Sequence, residues 1–113
     1  MRIAIPLKQN KFSLNFSACD QFAFIEIKAG TRQILAAQYK TPLSFNLDTL
    51  PRWIRENEVD LILAGGMGQR AKEIFAQDQI DVRVGFLNGS IKEVIEEFIE
   101  SQLSHGETTE TKE

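Results

Sequence analysis

The sequence predicts a three-layer α/β domain: a mixed sheet of about five strands, with an antiparallel hairpin at one side and helices on both faces. Two observations carry that expectation. The second half alternates strand-like apolar runs with helix-period segments, the pattern of parallel strands joined by crossover helices. The first half instead sets two strand-like segments back to back around a glycine turn, as an antiparallel pair does. At 113 residues the chain is the size of one domain, large enough to bury a core without disulfides or structural metal.

Arg2-Ile3-Ala4-Ile5-Pro6 alternates with the strand period and is expected to stop at the proline. Phe22 to Lys28 is rich in aromatic and β-branched residues, and Ala29-Gly30 turns it into Gln33 to Tyr39, giving the hairpin. Thr41 to Asn46 reads as a linker, after which Leu47, Leu50 and Ile54 mark one face of a first helix, with Pro51 in its first turn. Val59 to Ala64 is almost continuously apolar, as befits a central strand covered on both faces. Gly65-Gly66-Met67-Gly68 breaks it, and Met67, Ala71, Ile74 and Phe75 then follow the stripe of a second helix. Asp81 to Gly85 alternates again as a short strand. Ser90-Ile91-Lys92-Glu93 is a capping box opening a third helix, whose Val94, Ile95, Phe98 and Ile99 face the core. The domain is expected to span residues 1–103, and the polar stretch 104–113 to be a flexible tail. The resulting order, β-β-β-α-β-α-β-α, makes a ribonuclease-H-like topology the natural candidate.

Composition excludes several classes of function. Sixteen acidic and thirteen basic residues are scattered along the chain for a net charge of −3, so no basic stripe offers itself to nucleic acid. The single cysteine, Cys19, forms no internal disulfide and cannot alone supply the thiolates of a typical iron-sulfur or zinc site, which fits a reducing compartment. Met1 to Lys8 is too short for a signal-peptide core and no later run approaches membrane-spanning length, so a cytoplasmic protein without a membrane partner is expected.

In open α/β sheets ligands gather beyond the carboxyl ends of the parallel strands, and Gly65 to Gly68 falls there. Successive amides at a helix start favour an anion, and Arg70 in the first turn adds charge. The competing reading is that the glycines only make a tight strand-to-helix turn. Gly66-x-Gly68-x-x-Ala71 formally matches a dinucleotide fingerprint but follows the fourth strand, and the lysine-serine or lysine-threonine ending of a P-loop is missing. Cys19 reads as a small buried hydrophobe or a ligand, Met67 as packing or a thioether donor, and His105 as a solvated tail residue. Asp20, Glu26 and Asp60 suggest a metal-dependent nuclease, but the first strand brings no carboxylate, which argues against two-metal chemistry. Trp53 and Phe45 are candidates for a partner surface.

Leu61-Ile62-Leu63-Ala64-Gly65-Gly66-Met67-Gly68-Gln69-Arg70-Ala71, followed by Ile74-Phe75 and Ile80-Asp81-Val82-Arg83-Val84-Gly85, resembles the central motif of the dinitrogenase iron-molybdenum cofactor-binding family. Arg2 to Pro6 and Ser13 to Ile25 resemble that family's first strand and second motif. The resemblance implies a ribonuclease-H-like fold and non-catalytic carriage of an anionic cluster, iron-molybdenum or another metal-sulfur type, bound non-covalently, with a protein partner in cofactor assembly. Family members often place a histidine before the phenylalanine of the second motif and an arginine two residues after it, where this chain has Asn15 and Ala18. The expected cofactor-binding residues are therefore Gly65, Gly66, Met67, Gly68 and Arg70, with Asn15 and Cys19 from the second motif and Lys8 or Lys11 as further cations. The rival expectation is a protein-interaction or regulatory module that kept the fold and lost cluster ligation.

Overall fold

In the computed structural model, which describes residues 1–28, 30, 31, 33–86 and 89–112, with side chains as far as 101, the chain forms one mixed sheet between two helical layers. The strands are β1 (Arg2–Lys8), β2 (Lys11–Phe12), β3 (Gln21–Ile27), β4 (Ile34–Lys40), β5 (Leu61–Leu63) and β6 (Asp81–Arg83). The helices are α1 (Leu50–Glu56), α2 (Gln69–Gln77) and α3 (Ile91–Lys112), with a single 3-10 turn at Phe16–Ala18. The sheet order is β4-β3-β1-β5-β6, with β2 folded back on β1, a path compatible with the ribonuclease-H-like topology expected from the sequence. β1, β5 and β6 run parallel, while β3 and β4 form the antiparallel hairpin.

The strand period sorts side chains between two cores. Ile3, Ile5 and Leu7 of β1, Ala23, Ile25 and Ile27 of β3, and Leu61 and Leu63 of β5 face Val94, Ile95 and Phe98 of α3. Ala4, Phe22, Phe24 and Ile62 point the other way, against Leu50 and Ile54 of α1 and Ala71 and Phe75 of α2. A one-residue slip in β1 would send Ile3 and Ile5 to the wrong layer, so the register is strongly specified.

β2 adds a sixth strand to the sheet of about five expected, and two boundaries also differ from expectation. β1 continues through Pro6 to Lys8, because β5 pairs with it only at Ile3 and Ala4, leaving Pro6 at a local edge where a missing amide is tolerated. α1 begins at Leu50, not Leu47, because Asn46 makes a turn first: its Oδ1 accepts from Asp48 N at 2.8 Å and its carbonyl accepts from Leu50 N at 2.9 Å. The α3 backbone is described to Lys112; the side chains of residues 102–112, His105 included, lie outside the described residues, as do Glu113 and the Ala29 of the hairpin turn, and with them the flexible tail expected over 104–113. α3 opens as the capping box requires, with Ser90 N donating to Glu93 Oε1 at 2.8 Å and Glu93 N to Ser90 Oγ at 3.2 Å. Among the described residues, no helix is long and apolar enough to cross a membrane.

Candidate anion-binding site

The parallel strands β1, β5 and β6 end at one edge of the sheet, and the chain that leaves them is tied together there. Asn15 bridges Gly66 in parallel, and Phe16 N donates to Gly66 O at 3.0 Å. From the other side Gly85 N donates to Gly65 O at 3.0 Å. Gly65 is locked between these neighbours: a Cβ on it would lie 2.4 Å from the Leu14 carbonyl oxygen and 2.9 Å from that of Phe86. Only a residue without Cβ permits that approach.

Gly68 has a different position. Its φ of −63° and ψ of 153° suit any residue, and a Cβ there would meet nothing within 4 Å. It is the N-cap of α2 yet offers no side chain, and among the described residues none caps that helix. The space beside Gly68 is open, and a helix start without a side-chain cap favours negative charge. The two readings of the glycine cluster are therefore divided between residues: Gly65 makes the tight turn, and Gly68 leaves a helix start bare.

That start opens on a cavity of about 380 Å³. Gly68, Arg70 and Ser17 supply its polar side; Phe16, Phe45 and Leu47 wall it, above Leu50 and Ala71. Phe16 meets Phe75 edge-on, ring centroids 5.6 Å apart, and Phe45 stacks on Phe22 at 6.0 Å. Among the described residues, no carboxylate pairs with the exposed Arg70. One cation, an uncapped helix start and an apolar wall together suit a compact anion with a weakly hydrated surface.

The expected site residues divide as follows. Gly68 and Arg70 line the cavity; Gly65 and Gly66 shape the turn that leads to it. Met67 is half-buried and packs into the core on the α1 and α2 side, so its sulfur serves packing. Asn15 Oδ1 accepts from Ser17 N at 3.2 Å and from Ser17 Oγ at 3.0 Å, so it holds the 3-10 turn in place. Lys8 is not among the lining residues, and Lys11 borders a groove on the α3 side of the sheet. Trp53, half-buried against Phe22 and Phe24, belongs to the core and not to an exposed partner surface. The carboxylates named for a nuclease form no metal cluster among the described residues: Glu26 accepts from Arg2 Nε at 3.1 Å and Asp60 from Arg2 N, while Asp20 accepts from Gln9 N. Of the cavity residues, the sequence reading assigned only Gly68 and Arg70 to a ligand; Ser17 and Phe45 are among those it did not. They come from segments far apart in the chain, and no spacing could have joined them.

Cys19 is buried among the residues of the α1 and α2 core. Burial, then the neighbouring Asp20 charge, pushes its thiol up to about 12 from an ordinary 9.0. In the unfolded chain the thiol ionises above its ordinary value, while in the folded protein it holds its proton to about 12. Cys19 is therefore expected to contribute a fall in stability as pH rises from 9 towards 12, and Cys19→Ala should remove that contribution. At neutral pH an aromatic disulfide reagent should modify the native protein far more slowly than denatured protein, and equal rates would show that the thiol is accessible.

The geometry defines a class: a small three-layer α/β domain with a cavity at the carboxyl edge of its parallel strands. Residues 1–101 match the family described as "Dinitrogenase iron-molybdenum cofactor", and the chain belongs to that family. An uncharacterized protein of Methanocaldococcus jannaschii, MJ0580, is 29% identical over 106 residues, covering 91% of this chain and 89% of its own. The crystal structure of PH0822 superposes with a TM-score of 0.77 at 28% identity, covering 89% of this chain and 92% of that one. The apo orange protein of Desulfovibrio gigas shares the fold, with a TM-score of 0.68 at 16% identity over 89% of this chain and 88% of its own.

Proposed function

We propose that this protein binds and carries, without turning it over, an anionic metal-sulfur species of the iron-molybdenum or other molybdenum-containing kind. The observation that supports this best is the cavity itself, where the start of α2 and Arg70, uncapped and unpaired among the described residues, meet walls of hydrocarbon. Family membership points to the same class of cargo. The lining contains no cysteine or histidine, and among the described residues no three His, Cys, Asp or Glu side chains come together as a metal site. Direct ligation of iron by side chains does not fit this donor set. A cargo that arrives with its own sulfide ligands does, since amides and a guanidinium hold such an anion from outside its coordination shell. A protein partner in cofactor assembly would deliver and receive the cargo.

Anaerobic titration with tetrathiomolybdate, followed by absorbance, tests the reading. Wild type should bind, and Arg70→Ala should bind about tenfold more weakly for the loss of a charge-assisted contact. Its melting temperature should hardly move, because alanine suits the helix and Arg70 is exposed. Equal affinity in folded wild type and variant would remove Arg70 from the site. A wild type that binds nothing would leave the interaction-module reading in its place.

A further inference from the structure

The hydrogen-bond donors around the cavity carry an inference that rests on the carrier reading and sharpens it. Ser17, on the polar side, is already committed: its amide donates to Asn15 Oδ1 at 3.2 Å and its hydroxyl to the same oxygen at 3.0 Å. One side-chain oxygen thus takes both donors that Ser17 could offer a ligand. What remains on the polar side is the Arg70 guanidinium and the uncapped start of α2. The rest of the lining, Phe16, Phe45, Leu47, Leu50 and Ala71, brings side chains of carbon and hydrogen alone. An anion seated there is hydrogen-bonded on one side and faces hydrocarbon on the other.

We propose that the cavity selects sulfide-clad anions against oxoanions of the same shape and charge, and that Phe45 is the residue that sets this selectivity. In a tetraoxo anion such as molybdate the charge sits on small oxygens, each of which loses bound water on entry. Those facing the wall find no donor in return, and an unmade hydrogen bond to a charged group is costly. In the tetrathio anion the same charge is spread over larger, polarisable sulfurs, which give up less hydration and gain dispersion contacts from the rings. The wall discriminates by what it withholds from the competitor. Phe16 and Leu50 are buried parts of it, at 6% and 1% exposure, and Leu47 packs against the same core. Phe45 differs. It comes from the loop between β4 and α1, stacks on Phe22 with ring centroids 6.0 Å apart, and at 37% is the most exposed of the apolar lining. A polar side chain at this position would reach the ligand at the least cost to the core.

Anaerobic calorimetric titration with two probes, tetrathiomolybdate and molybdate, reads the selectivity as a ratio of dissociation constants. Wild type should bind tetrathiomolybdate about tenfold or more tighter, the scale of one unmade bond to a charged group. Phe45→Gln, which places an amide donor at the wall, should shrink that ratio about fivefold or more, and Phe45→Ser should shrink it as well. Phe45→Leu keeps the wall apolar and should hold the ratio. Thermal unfolding establishes which variants are folded, and the wild-type ratio tests the selectivity even where a variant is not. Wild type that binds both anions equally overturns the proposal and leaves the carrier reading standing. A ratio unchanged in the folded polar variants, or lost as fully in Phe45→Leu, overturns the role of Phe45. Wild type that binds neither anion overturns the proposal and the carrier reading together.

Discussion

Gly65→Ala should lower the melting temperature by about 10 to 15 °C, corresponding to roughly 3 kcal/mol of overpacking in a domain of this size. The added methyl would sit 2.4 Å from the Leu14 carbonyl oxygen and 2.9 Å from that of Phe86. Neither obstacle is a flexible side chain. Both are main chain, held by the hydrogen bonds that join the loops around Gly65 and Gly66, so relief requires two loops to separate. Gly66→Ala is the control, since its methyl would make ordinary contact at 3.7 Å from the Leu14 carbonyl oxygen. Thermal unfolding of both variants should show a large loss for the first and a small one for the second. Equal losses would mean that the close approach at Gly65 is not what holds the loops.

Gly68→Asp should move stability and binding in opposite directions. An aspartate at this N-cap would accept from the first-turn amides of α2 and add negative charge at the positive helix end. That should raise stability by about 0.5–1 kcal/mol, or a few degrees in melting temperature. Backbone strain does not oppose it, because φ is −63° and the site is open. The same carboxylate would occupy the amides that receive the anion and repel it, so affinity for tetrathiomolybdate should fall at least about tenfold. A variant that is more stable and still binds like wild type would show that the start of α2 is not the receptor. A lesion that lowered both would signal a misplaced helix instead.

Much of the fold was legible because its rules are local and periodic. The alternation of Ile3, Ala4 and Ile5 splits them between two cores, and the capping box from Ser90 to Glu93 opens α3 as read. The two-residue β2 and the 3-10 turn are shorter than any period, so no pattern could reveal them. For the site, the glycine loop and Arg70 were visible because strand ends and helix starts have sequence signals. The opposite situations of Gly65 and Gly68 were not, since one residue type meets either a crowded or an empty neighbourhood only after Leu14 and Phe86 arrive. Asn15 and Cys19 sit beside the cavity wall in sequence, yet the first caps Ser17 and the second is sealed in the core with its proton held.

The central claim is a place: a compact anion enters the cavity beside α2. Amide chemical-shift mapping of the wild-type protein during an anaerobic titration with tetrathiomolybdate, whose molybdenum is diamagnetic, reads that place directly. The expected result is saturable shifts concentrated at Ser17, Phe45 and the amides from Gly68 to Ala71, accompanied by the Trp53 indole through its contact with Phe22. No saturable shift, or shifts centred on Lys11 and Ser90 to Lys92 on the opposite face of the sheet, would contradict it.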